Sequence, residues 1–187
     1  MRLLLLLRHA KAARGSADGE DHSRPLNERG HAAAQTVGQW LAGRPTILPQ
    51  LVLASTARRT QETLAGIVAQ WPVQPQSRAE RALYLAAPQA ILGCIAKTPN
   101  NIERVMVIGH NPGIHELARA LVGMIGARPA ARLVFDRMRD AFPTGALAVL
   151  AFPKIRNWTD IDIGKGRFES FTRPRDIPLK RNQNTPG

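Results

Sequence analysis

Five consecutive leucines, Leu3 to Leu7, run directly into Arg8 and His9. A run of that length matches one buried strand and is too short to cross a membrane. In an α/β protein the carboxyl end of such a strand is where ligands are met. Arg8 and His9 occupy that position, although an Arg-His pair alone is more often a solvated loop. Two later segments repeat the layout. Leu51 to Ala54 lead through Ser55 and Thr56 into Arg58, and Arg104 to Ile108 end in Gly109 and His110.

The intervening segments read as helices. Asn27 is a plausible cap for a helix reaching Leu41, and Ser55 or Thr56 could cap one from Ala57 to Trp71. Pro88 opens another through Lys97, and Ile114 to Val122 follow the third strand. Residues 77–87 are ambiguous, and Gly126 to Pro143 read as a basic, poorly periodic insertion. Ala146 to Phe152 and Trp158 to Ile163 are two further strand candidates, the second at a sheet edge. Strands alternating with helices predict an α/β fold: a three-layer sandwich with a mainly parallel central sheet, helices on both faces and room for one antiparallel edge strand. We expect one domain over residues 1–173, followed by a basic, flexible tail over 174–187.

Composition narrows the function classes. A single cysteine, Cys94, excludes an intrachain disulfide and a multi-thiol zinc site, and it lies in an apolar stretch that suits a core. The leucine run stops too early for a signal peptide, so a cytoplasmic protein with no membrane association is expected. The net charge of +12 favours anionic partners. Few aromatics accompany the basic residues, which disfavours single-strand nucleic-acid binding.

If the three strands run parallel, Arg8, His9, Arg58 and His110 converge on one rim. Two guanidiniums and two imidazoles without an acidic cluster suit a tetrahedral oxyanion, because Arg offers forked donors to phosphate. The amino end of the helix after Thr56 would add backbone donors. His9, His110 and His115 could in principle ligate a metal, but the neighbouring arginines oppose a cation, and no metal or cofactor is expected. The chemistry such a site supports is phosphoryl transfer to a neutral His9, with a protonated His110 and the arginines balancing charge.

Several motifs extend this pattern. They are Leu6-Leu7-Arg8-His9-Ala10-Lys11, the Arg24-Pro25-Leu26 segment ending at Gly30, Ser55 to Thr63, Leu83-Tyr84, Val107 to Gly113, and Thr144-Gly145-Ala146. In this order they resemble the histidine phosphatase superfamily, and most of all its small bacterial branch of phosphohistidine phosphatases. The resemblance implies His9 as nucleophile, Arg8 and Arg58 as phosphate ligands and His110 as the second histidine. It also raises the question of a general acid, for which Glu80 is the best positional candidate and Asp21 a weaker one. The expected activity is metal-independent dephosphorylation of phosphohistidine in a protein partner. The alternatives are a phosphatase of small phosphate esters and a non-catalytic phosphate- or polyphosphate-binding protein.

Overall fold

The computed structural model describes residues 1–123 and 129–178. Within them, six strands form one sheet: β1 (Arg2–Arg8), β2 (Leu51–Ser55), β3 (Gln76–Glu80), β4 (Arg104–Gly109), β5 (Leu147–Phe152) and β6 (Arg167–Thr172). Five helices join them: α1 (Glu28–Ala42), α2 (Arg58–Val68), α3 (Pro88–Ala96), α4 (Gly113–Leu121) and α5 (Pro129–Asp140). The strand order is β3-β2-β4-β1-β5-β6. The first four are mutually parallel, and β5 runs against both neighbours.

Alternation along the central strands assigns each side chain to one of two cores. Leu4, Leu6, Leu51, Leu53, Val105 and Val107 face one layer, with Ile91 and Ile95 of α3 and Ile114 and Leu117 of α4. Leu3, Leu5, Leu7, Val52, Met106 and Ile108 face the other, with Val37 and Leu41 of α1 and Ile67 of α2. The five leucines of β1 are thus used on both sides. The three-layer α/β architecture read from the sequence is the one observed.

Four details differ from the sequence reading. The antiparallel strand β5 is interior, and the edge strand is Arg167–Thr172 rather than Trp158 to Ile163. Trp158 instead starts a short 3-10 turn, where its buried ring donates Nε1–H to the Ile102 carbonyl at 2.7 Å. The supposed basic insertion contains α5, which packs on β6 through Phe135 against Phe168, ring centroids 5.5 Å apart. Neither Ser55 nor Thr56 caps α2. Its N-cap is Ala57, whose N–H is taken by Ser55 Oγ at 3.3 Å.

At the chain's far end, Pro174–Asp176 form a 3-10 turn, and Ile177 packs against the α1 face. The remainder of the expected flexible tail, from residue 179, lies outside the described residues.

Candidate active site

The register of the central strands makes the site. Arg8 pairs with Gly109, and Ala54 with Ile108, so β1, β4 and β2 end at one level. His9 and His110 follow immediately, their ring centroids 5.1 Å apart. Both side chains are buried.

Each imidazole is held in one tautomer. His9 Nδ1 lies 2.7 Å from the Ala10 carbonyl oxygen, an acceptor only, so Nδ1 carries the proton and Nε2 keeps its lone pair. His110 Nδ1 faces the Arg59 guanidinium at 3.4 Å, a donor only, which leaves the proton on Nε2, 2.8 Å from Ser55 Oγ. Burial lowers the His9 pKa to about 4, with Arg59, Arg8 and Arg24 pushing the same way against the Ala10 hydrogen bond. Burial, then His9 and Arg59, lower His110 to about 3. Both rings are therefore neutral near pH 7. The expectation of a protonated His110 does not hold for the free site, because burial first, and the neighbouring cations after it, disfavour the charged ring.

The guanidiniums come from three elements. Arg8, at the end of β1, donates Nη1–H to the Phe142 carbonyl at 3.0 Å, and its buried Nε has no partner among the described residues. Arg24 donates to the Ala13 carbonyl through Nε and Nη2 and to Asp21 at 2.8 Å. On α2 the residue that reaches the imidazoles is Arg59, only 3% exposed, and not Arg58. Arg58 turns outward, its side chain 59% exposed, and pairs with Glu62 at 2.7 Å one helical turn on. The helix explains the swap. Arg59, Thr63 and Ile67 share its buried face at i, i+4 and i+8, while Arg58 and Glu62 share the outer one.

Asp21 organises this cluster. Its Oδ2 accepts from Arg59 Nη2 at 2.9 Å and from Tyr84 Oη at 2.7 Å, and its Oδ1 accepts from Arg24. The Tyr84 hydroxyl first, then Arg24 and Arg59, outweigh burial and hold the carboxyl well below the usual carboxylate range. Asp21 is a fixed anion and has no proton to give. Glu80 ends β3 in register with Ser55, but its carboxylate lies 3.7 Å from Arg78 of its own strand. It makes no hydrogen bond to His9, His110 or the arginines among the described residues. His115 lies outside the cluster, its Nε2 bonded to the Met138 carbonyl at 2.9 Å. Among the described residues no group of His, Cys, Asp and Glu side chains is arranged to hold a metal ion.

Two buried neutral imidazoles ringed by Arg8, Arg24 and Arg59 offer a nucleophilic nitrogen inside a cationic pocket. Comparison with known proteins agrees. The family model "Histidine phosphatase superfamily (branch 1)" matches residues 4–81. An uncharacterized protein of Mycobacterium tuberculosis is 38% identical over 173 residues, covering 90% of this chain and all of that protein. The chain belongs to the histidine phosphatase superfamily.

Within that superfamily it falls in the SixA-like branch. A structure provisionally named phosphohistidine phosphatase SixA, from Nakamurella multipartitia, matches with 31% identity and a TM-score of 0.76, over 92% of this chain and 96% of that one. A second provisional SixA, from Agrobacterium tumefaciens, matches with 29% identity and a TM-score of 0.73, over 92% and 98%.

Of the residues expected for this histidine phosphatase, Arg8, His9 and His110 come together, whereas Arg58 and Glu80 do not join them. Sequence reasoning missed Arg59, Arg24 and the roles of Asp21, Tyr84 and Ser55 in fixing the cluster. The i+4 step from Arg59 to Thr63 and Ile67 was the available signal for the first. For Arg24 the signal was its place in the Arg24-Pro25-Leu26 segment.

Proposed function

We propose that this histidine phosphatase removes phosphoryl groups from phosphohistidine in a protein partner through a covalent intermediate on His9. The observation that carries this reading is the state of the carboxylates. Asp21 is locked as an acceptor by Arg59, Arg24 and Tyr84, and Glu80 is turned to Arg78. A serine or sugar alkoxide leaves only when an acid protonates it, and neither carboxylate is placed to do so. The imidazole of a phosphohistidine leaves as a neutral molecule once its other ring nitrogen carries a proton.

In the first step the His9 Nε2 lone pair forms a bond to phosphorus. The phosphorus–nitrogen bond of the substrate breaks, and its electron pair stays with the departing imidazole. Arg8, Arg24 and Arg59 take the equatorial oxygens, with the unpartnered Arg8 Nε as one ready donor. The Nδ1–H to Ala10 contact stabilises the cation that His9 becomes. Approach of a dianionic phosphoryl group raises both imidazole pKa values, so His110 can take a proton once substrate is bound. In the second step water attacks phosphorus, the bond to Nε2 breaks with its electron pair returning to His9, and the protons of the water leave on inorganic phosphate.

Phosphate release is the test, with a phosphohistidine protein, a phosphoserine peptide and an aryl phosphate compared in EDTA. Release from phosphohistidine alone, abolished by His9→Ala, is the expected result. Equal turnover of all three would overturn the substrate assignment and return Glu80 to the role of acid. Binding of phosphate without labelling of His9 would identify a phosphate-binding protein instead.

A further inference from the structure

A cavity of about 360 Å³ lies beside the site, separated from it by the 142–145 segment. On one side of that segment the Phe142 carbonyl accepts from Arg8 and from Asn111, and Gly145 N–H donates to the Arg8 and His9 carbonyls. On the other side Ala141, Pro143 and Thr144 line the cavity, together with Lys11, Arg29, Ala33, Arg173, Pro174 and Arg175. Gly145 makes the close wall feasible: its φ of 76° is a left-handed conformation that suits glycine.

The lining is lopsided. It holds four cationic residues and no acidic one, over a floor of Ala33, Ala141, Pro143 and Pro174. Arg173 is satisfied by Asp176 at 2.7 Å. Lys11, Arg29 and Arg175 make no side-chain hydrogen bond or ion pair among the described residues, so their donors are open to an anion. No aromatic side chain lines the cavity to stack a base, which argues against nucleic acid. The volume is at the small end of ligand sites and accommodates a few side chains, not a second protein domain.

We propose that this cavity is a second anionic subsite, which holds an acidic segment of the partner protein flanking its phosphohistidine. Carboxylates of that segment meet Lys11, Arg29 and Arg175 while neighbouring apolar side chains cover the proline and alanine floor. The subsite orients the partner over the rim and raises its local concentration, the usual work of complementary charge. The inference deepens the phosphohistidine reading and rests on it for the identity of the partner.

The experiment has two arms, each using the full chain. In the first, kcat/KM is compared for a phosphohistidine peptide with an acidic flank and for free phosphohistidine, in the wild type and in Arg29→Glu/Arg175→Glu. Both residues are exposed, so the fold should tolerate the changes, and each single variant is made alongside. Reversing two charges should lower kcat/KM for the acidic peptide by about tenfold through KM, while free phosphohistidine changes by less than about twofold. In the second arm, fluorescence anisotropy measures binding of the same peptide without its phosphoryl group. Binding by the wild type that weakens with salt and is lost in the variant supports the subsite even if neither phosphohistidine substrate turns over. Turnover with no peptide binding and no effect of charge reversal would overturn the subsite while leaving the activity standing. Capture of an RNA oligonucleotide in place of the peptide would overturn it too.

Discussion

At the scale of single residues, Arg58 and Arg59 make the sharpest contrast. They are adjacent in sequence and alike in chemistry, yet one is buried against His110 and the other lies on the surface against Glu62. Arg59→Ala should cost about 100- to 1,000-fold in phosphate release, as loss of a transition-state donor does. Arg58→Ala removes a surface pair of roughly 0–1 kcal/mol and should leave activity within about threefold. Initial rates of the two variants check both statements, and a large loss for Arg58→Ala would show that this side chain swings inward. His9 supports a second prediction. A base with a pKa of about 4 remains unprotonated far below neutrality, and kcat/KM reports the free enzyme. Its acid limb should therefore fall near pH 4 to 5 and not near the ordinary histidine value of about 6.5. A rate profile on a phosphoramidate, corrected at each pH for its spontaneous acid hydrolysis, reads this directly, and a limb at the ordinary value would mean that water reaches the ring. Arg8, His9 and His110 were legible because they punctuate apolar runs. The choice between Arg58 and Arg59 was not, because it depends on which face of α2 is buried.

Among the elements, α2 does most to assemble the site. Its Thr63 Oγ1 accepts from the Ala10 N–H at 3.0 Å and donates to the Arg59 carbonyl at 2.6 Å, tying the helix to the residue after His9. Glu62 ties the same helix to the Leu26 N–H at 2.6 Å, on the segment that carries Arg24. Thr63→Val keeps the shape but strands the buried Ala10 N–H, which should cost about 1–3 kcal/mol. Urea denaturation measures the loss, and the expected activity defect exceeds what the remaining folded fraction explains, since Ala10 also holds His9 in its tautomer. Element boundaries were legible where a buried strand met a polar break, as at Leu7-Arg8 and Ile108-Gly109. They were obscure at β6 for a definite reason. A bulge opposite Val149 and Leu150 places Phe168 and Phe171 in the core three residues apart, which breaks the two-residue alternation. The helix α5 was obscured differently, because its buried Met138 and half-buried Val134 stand among Arg132, Arg137 and Arg139.

For the whole molecule, the positive charge was plain in the sequence but its address was not, because Lys11, Arg29 and Arg175 meet only when α1 packs beside the Pro174–Asp176 turn. The same cationic surroundings make folding stability depend on pH in two stages. His9 and His110 are depressed to about 4 and about 3, whereas the unfolded imidazoles titrate near 6.5. Between those values the unfolded chain binds more protons than the folded one, so stability is complete above 6.5 and falls as pH drops toward 4. Asp21, Glu62 and Asp176 are also depressed, and their contributions are lost only at lower pH, from about 4 downward, where the unfolded carboxylates take up protons that the native ones still refuse. Urea midpoints should therefore decline in the wild type between about pH 6.5 and 5, above the ordinary carboxylate range. The decline should be shallower in His9→Gln/His110→Gln, which cannot take up those protons. Saturating inorganic phosphate should flatten it in the wild type as well, because an anion beside the rings raises both pKa values toward those of the unfolded chain. A flat wild-type profile from pH 6.5 to 5 would mean that the folded site already accepts protons, and with them His9 would lose its standing as a neutral nucleophile.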